Sequence, residues 1–263
     1  MALFQNLTKT LRPSSSNAIS TLRWARSPCS SKLGPNFFGG GGPNGRRSYY
    51  GSHNSSEPMN KRLIYGVIGL NVGVYLYGEY TKEQARQGYP QSFITYIENM
   101  SLSPSGFFKE HRYWTAITST FAHGSLFHIA SNMVSFYYLS SFLASTPSFT
   151  PLKLTAIILG SGLAGSAGWL ASKLKQGNVK QRALGFSGSV MGVGTIAAFL
   201  YPRVTLLVWG IIPVPLGVLM AGYAIYDGYY LNSQTTTVAH AGHLGGTVFG
   251  ILYFLAKLRG LRL

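Results

Sequence analysis

Ser187 stands between glycines in Leu184-Gly185-Phe186-Ser187-Gly188-Ser189-Val190-Met191-Gly192, at the head of an apolar run. A serine hydroxyl becomes a nucleophile when a base takes its proton, and bare backbone beside it lets another helix or an extended chain approach closely. The base is sought in Ala239-His240-Ala241-Gly242-His243-Leu244-Gly245-Gly246-Thr247-Val248-Phe249-Gly250. There His243, Gly246 and Gly250 fall along one helical stripe, and Gly188 and Gly192 offer a matching groove on the serine's own run. Two glycine-faced helices pack at short range, which predicts Ser187 and His243 within hydrogen-bond reach. At a helix start the first amides have no intrahelical partner, so those of Ser187 and Gly188 are available to an oxyanion.

Polar side chains inside apolar runs are expensive, and each is a candidate for function. Phe121-Ala122-His123-Gly124-Ser125-Leu126-Phe127-His128-Ile129-Ala130-Ser131-Asn132 places His128 and Asn132 four residues apart on one helix face, with His123 turned away from both. For His123 and His240 a purely structural role tying helices together is at least as good a reading. His128 and Asn132 also serve as interhelical hydrogen-bond partners on the bland reading. Hydrolytic zinc sites generally add a carboxylate as ligand or base. No acid lies in the runs that carry the histidines and the serine, and only Asp227 is near the histidines in sequence. The expectation is therefore a Ser187–His243 dyad with no carboxylate assisting and no metal or organic cofactor.

The elements that must position these groups are membrane helices. Charged residues make up 11% of the 263-residue chain, against roughly 25% in ordinary globular proteins. Six apolar runs, Leu63 to Tyr80, Thr118 to Phe142, Leu152 to Ser172, Leu184 to Leu200, Val204 to Ile225 and Val238 to Ala256, approach the length of about 20 residues that a bilayer core requires. The fold class expected is an all-α membrane protein, a six-transmembrane-helix bundle over residues 57–263. The connection from Thr81 to about Tyr113 carries aromatics among scattered charges, which suits short helices at the membrane surface. Basic residues on the two sides nearly balance, so the positive-inside rule leaves orientation open, with the basic leader and C-terminal tail favouring termini in the matrix.

The net charge of +16 comes from 22 Lys and Arg against 6 acids. Nucleic-acid binding calls for a basic face on a folded domain. Here seven basic residues precede Glu57, the first acid, and most of the rest flank apolar runs, so no nucleic-acid partner is expected. Residues 1–56 are Ser- and Arg-rich without acids, the composition of a transit peptide, with mitochondrion preferred over plastid for the early arginines. The single cysteine, Cys29, lies in that leader.

Together these residues resemble the rhomboid family of intramembrane serine proteases. The resemblance rests on Gly185-Phe186-Ser187-Gly188, the stripe His243, Gly246 and Gly250, the pattern His123, His128, Asn132, and Arg112-Tyr113-Trp114 as a variant of the family's Trp-Arg loop motif. It implies that Ser187 is the nucleophile and His243 the general base, with His128, Asn132 and the Ser187 amide as the oxyanion hole. It implies substrates that are single-span or other transmembrane proteins, a long first loop lying in the membrane interface, and a fifth span acting as a side gate. Pro213 and Pro215 fit a mobile helix there. Met191 stands where bacterial members carry an aromatic, which resembles the mitochondrial branch, as do the leader and Val238 to Gly246. A multi-pass protein of the mitochondrial inner membrane is the expectation. No span ahead of the six is found, which leaves the membrane face of the site unassigned. The rivals are a transporter or channel using the polar residues as a path, and a catalytically silent protein that binds membrane helices.

Overall fold

The computed structural model describes residues 54–208, 210–233 and 238–259. The leader expected over residues 1–56 lies almost wholly outside them, Cys29 included.

The described chain is helical except for one hairpin. Its elements are α1 (Glu57–Arg86), α2 (Gln91–Met100), a π-helical turn (Ser105–Lys109), α3 (Thr115–Phe121), α4 (Leu126–Ser145), α5 (Pro151–Lys175) and α6 (Ser187–Leu200). There follow β1 (Thr205–Val208), β2 (Ile212–Pro215), α7 (Leu216–Tyr229), α8 (His240–Tyr253) and a closing π-helical turn (Phe254–Leu258). Two of the described helices are long and apolar enough to cross a bilayer by themselves: α5, and α8 with its π-helical extension, with mean hydropathy of 1.5 and 1.2. The serine helix α6 is apolar but only 14 residues long.

Two of the six apolar runs are not single helices. The second is broken at residues 122–125 into α3 and α4, because Ser125 caps α4 and its side chain accepts from the His128 amide. The fifth opens as an antiparallel hairpin, with Leu207 opposite Pro213 and Thr205 opposite Pro215. A proline inside a helix lacks its N–H and clashes with the preceding turn, whereas an edge strand tolerates it. Pro213 and Pro215 therefore precede α7, and the expectation of prolines within a mobile helix is corrected.

The centre of the bundle is α5, α6 and α8, drawn together by missing side chains. A Cβ on Gly165 of α5 would lie 2.9 Å from the Gly242 carbonyl oxygen and 3.3 Å from Gly188 Cα. On α8, a Cβ at Gly250 would come within 2.8 Å of the Gly192 oxygen, and one at Gly246 would strike the Gly188 oxygen. Backbones this close leave no room for a methyl group, so the helices are held by direct packing of main chain on main chain. Around them α4 packs on α6, and α1 on α4. Fully buried Phe186, directly before the serine, meets the rings of Phe136 at 5.0 Å and Phe121 at 5.8 Å and pins the start of α6. The first helix is fastened at its start by the side-chain amides of Asn54 and Asn60. Both donate to the carbonyl of Ala144, which the end of α4 leaves without a helical partner, and to that of Phe149 in the connection to α5.

The segment between α1 and α3 forms surface helices, as its aromatics suggest, and it also braces the serine. Leu102 and Ala183 exchange backbone hydrogen bonds of 2.8 Å. The Arg182 guanidinium donates to the Ser101 hydroxyl at 3.0 Å. Arg112 pairs with Glu98 and Glu110, and the indole of Trp114 donates to Asn99. The chain entering the serine turn is thus tied on its outer side.

Candidate active site

Ser187 is the first residue of α6, reached through a turn in which Gly185 has φ +138°. Few residues other than glycine hold that conformation. A Cβ on Gly185 would also sit 2.7 and 2.8 Å from Cε1 and Nε2 of His128, and 3.9 Å from Ser187 Oγ. The bare α-carbon therefore brings the His128 ring up against the serine turn. The Gly185 amide donates to the Ser119 carbonyl at 2.9 Å and the Phe186 amide to His123 Nε2 at 3.4 Å, which hold the turn from behind. A small cavity, lined among others by Ser119, Gly162, Trp169, Ser187 and Gly242, opens beside the hydroxyl.

Across the glycine contact between α6 and α8, the Ser187 hydroxyl and His243 Nε2 lie at hydrogen-bond distance, 2.9 Å apart. His243 is partly exposed, its side chain 20% accessible. The other ring nitrogen, Nδ1, donates to the carboxylate of Asp227, 3.1 Å from Oδ1 and 3.2 Å from Oδ2. His240 Nδ1 donates to the same Oδ1 at 2.7 Å. The carboxylate is buried, with 2% of its side chain accessible, and lies on α7.

The expectation of a serine–histidine pair without a carboxylate is corrected here. Asp227 lies 16 residues before His243, beyond a loop, so helical spacing along the chain says nothing about their meeting. The contact is made by the packing of α7 on α8. A buried carboxylate among histidines was the available clue, since an ionised acid taken out of water needs donors.

On the other flank of the serine, His128 is partly exposed and Asn132 is buried, with its amide nitrogen donating to the His128 carbonyl at 2.9 Å. His123 is not turned away from this pair. Its ring centroid lies 5.0 Å from that of His128, edge to face, because the break before α4 removes His123 from the helix and swings it back. His240, whose place in the sequence suits a helix tie at least as well as a catalytic role, is joined to His243 through Asp227 and stacks on Tyr230 at 5.7 Å.

Asp227, His240 and His243 each offer one potential ligand atom within 4.8 Å of the others, so the trio has the donor set of a metal site. The contacts themselves have hydrogen-bond length and direction. The two imidazole Nδ1 atoms face one carboxylate, and His243 Nε2 is directed to the serine rather than toward a shared centre.

Residues 110–260, which contain Ser187, Asp227 and all the histidines gathered around them, match the Rhomboid domain. The chain belongs to the rhomboid family. It is 28% identical over 216 residues to RHOMBOID-like protein 12, mitochondrial, of Arabidopsis thaliana, covering 76% of this chain and 59% of that protein. It is 25% identical over 196 residues to Rhomboid protein 1, mitochondrial, of Saccharomyces cerevisiae, covering 73% and 52%. With the human presenilin-associated rhomboid-like protein, mitochondrial, it shares 32% over 143 residues, covering 52% and 36%. The chain spans about half the length of the curated relatives it matches. Within this rhomboid domain Met191 is buried on α6, one turn past the nucleophile candidate.

Proposed function

We propose that this rhomboid-family chain is an intramembrane serine endopeptidase that cuts a peptide bond in or beside the transmembrane helix of another membrane protein. The observation that carries the reading is the 2.9 Å hydrogen-bond distance between the Ser187 hydroxyl and His243 Nε2, with the serine at the N-terminus of a helix. Ser187 Oγ attacks the scissile carbonyl carbon as its proton passes to Nε2. The carbonyl oxygen becomes an oxyanion facing the Ser187 amide, His128 and Asn132. The tetrahedral adduct collapses, Nε2 gives its proton to the leaving amine, and an ester to Ser187 remains. Water enters, loses a proton to Nε2 and attacks the ester, which releases the carboxylic acid and restores the serine. No metal or organic cofactor takes part.

A six-span bundle embedded in lipid accords with the outward-facing Leu70 and Leu76 of α1, Val134 of α4, Ile225 of α7 and Leu252 of α8, all exposed apolar groups. In this arrangement the hairpin and α7 together replace a continuous fifth span. The mitochondrial names of the relatives, together with the basic leader over residues 1–56, favour a multi-pass protein of the mitochondrial inner membrane.

Co-expression with a panel of single-span mitochondrial membrane proteins tests the reading. Wild type should release a fragment cut near the membrane, and Ser187→Ala should release none. A serine-directed fluorophosphonate should label wild type, fail on Ser187→Ala and label His243→Ala far more slowly. Labelling elsewhere in the chain, or a biological effect that survives Ser187→Ala, would point instead to a protein that binds membrane helices without cutting them.

A further inference from the structure

The protease reading needs one proton in the right place. His243 must hold its proton on Nδ1 so that the lone pair of Nε2 faces the serine, and a neutral imidazole by itself populates both tautomers. An ionised carboxylate is acceptor-only. Asp227, facing His243 Nδ1 with both oxygens, therefore selects the tautomer in which Nε2 accepts.

The carboxylate is itself held. His240 Nδ1 donates to it at 2.7 Å, shorter than either contact with His243, and the His240 ring sits against Tyr226 at 5.5 Å and Tyr230 at 5.7 Å. Those tyrosines belong to α7 and its cap, so α8 and α7 grip each other through this one buried cluster. The rest of the inner face of α7 is slight, since its only other buried residues are Leu216 and Met220, toward its opposite end. At the end that faces the base, the carboxylate and its two imidazoles are the fastening.

We propose that Asp227 is a positioning residue for the base: it fixes the proton of His243 on Nδ1, and His240 holds its carboxylate in place. This rests on the protease reading and refines it. It also makes the base conditional on α7. When the C-terminal end of α7 is seated against α8, Nε2 is poised to accept from Ser187. When that end moves away, His243 loses the group that selects its tautomer.

Asp227→Asn is the sharp substitution, because it keeps the shape and removes the charge. Its amide oxygen can remain with His240 while its NH2 group takes the place of Oδ2 beside His243 Nδ1, so the charge is lost and one of the two acceptors that face that nitrogen becomes a donor, which weakens the preference for the Nδ1 proton. The experiment compares purified wild type, Asp227→Asn, Asp227→Glu and His240→Phe on one transmembrane substrate. It reads kcat, KM, the rate of fluorophosphonate labelling and the melting temperature. Asp227→Asn should lower kcat by roughly 10²- to 10⁴-fold with KM unchanged, and slow labelling in parallel. Asp227→Glu should recover part of that loss. His240→Phe, which keeps a ring beside Tyr230 but removes the donor, should lower kcat by less than Asp227→Asn.

Wild-type kcat in Asp227→Asn overturns the proposal, and so does a loss confined to KM. An equal loss in the Asn and Glu variants with a matching fall in melting temperature also overturns it, since that assigns Asp227 to packing alone. If wild type itself takes no label at Ser187, it is the protease reading that falls.

Discussion

Ser187 has histidines on both sides, and the two groups differ in one charge. On the α8 side, His243 and His240 converge on a buried carboxylate, so each Nδ1 is a donor and the His243 Nε2 is left to accept. On the α4 side, His123, His128 and Asn132 gather with no acid among the described residues that touch them. There His123 accepts from the Phe186 amide, and the His128 ring lies against bare backbone at Gly185. The difference assigns the work. A carboxylate beside an imidazole stabilises the proton that the imidazole gains from the serine, whereas a carboxylate beside a forming oxyanion repels it. In the proposed reaction the same residue type serves as a base on one flank and a donor on the other, according to where one aspartate is placed.

The most damaging way to erase this contrast is to give the α4 side an acid of its own. Removing one oxyanion donor costs on the order of 10²- to 10³-fold in kcat in other serine proteases, and Asn132→Ala should fall in that range. Asn132→Asp should be worse than Asn132→Ala, because it subtracts a donor and adds like charge beside the developing oxyanion. Steady-state kcat on a single transmembrane substrate distinguishes the two. An aspartate variant equal to or faster than the alanine variant would show that the oxyanion forms elsewhere.

How much of this contrast was legible beforehand follows from what a sequence encodes locally. Gly188, Gly192, Gly246 and Gly250 recur at helical spacing, so the close approach of α6 to α8, and with it the meeting of Ser187 and His243, could be read from the two runs alone. That His128 and Asn132 share a face of α4 was legible for the same reason, since they stand one turn apart on one helix. Asp227 was not, because its partnership depends on how α7 leans on α8 across an intervening loop. The place of His123 does not follow from helical spacing, because the run is not one continuous helix: Ser125 caps α4 and leaves His123 outside it. The hairpin at residues 205–215 was hidden by its hydrophobicity, although Pro213, Pro215 and Gly210, with φ +72°, carry the turn chemistry that a helix excludes.

A milder test keeps every functional group and moves the two flanks apart from the serine in turn. Gly246→Ala would drive a methyl group into the Gly188 carbonyl oxygen, which belongs to backbone and cannot step aside. Overpacking of this kind costs about 1–3 kcal/mol, and any relief must lengthen the 2.9 Å contact between Ser187 and His243. Gly185→Ala meets the edge of the His128 ring, a side chain that can rotate, but adds backbone strain of about 1–3 kcal/mol at φ +138°. Both variants should melt lower than wild type. Gly246→Ala should lose more of its fluorophosphonate labelling, since labelling needs the base, while Gly185→Ala should label well and turn over peptide poorly. If both variants lose labelling equally, the two flanks are not separable in function.

The smallest effect expected is none, and it bears on the α8 side alone. Asp227, His240 and His243 present ligand atoms within 4.8 Å, a spacing that a divalent ion can bridge. A metal ion there would take the lone pair of each Nδ1, which requires both rings to carry their proton on Nε2 instead and would leave His243 Nε2 unable to accept from Ser187. In the proton-transfer reading those Nδ1 atoms are donors, bonded at 2.7 and 3.1 Å to Asp227 Oδ1, and the chemistry runs through His243 Nε2. Prolonged dialysis of the purified protein against a strong chelator should therefore leave kcat and fluorophosphonate labelling at their starting values. Activity that is lost on dialysis and returns with added zinc would make the α8 cluster a metal centre. Asp227 would then be a ligand, and the contrast between the two flanks would be one of metal against backbone rather than of base against donor.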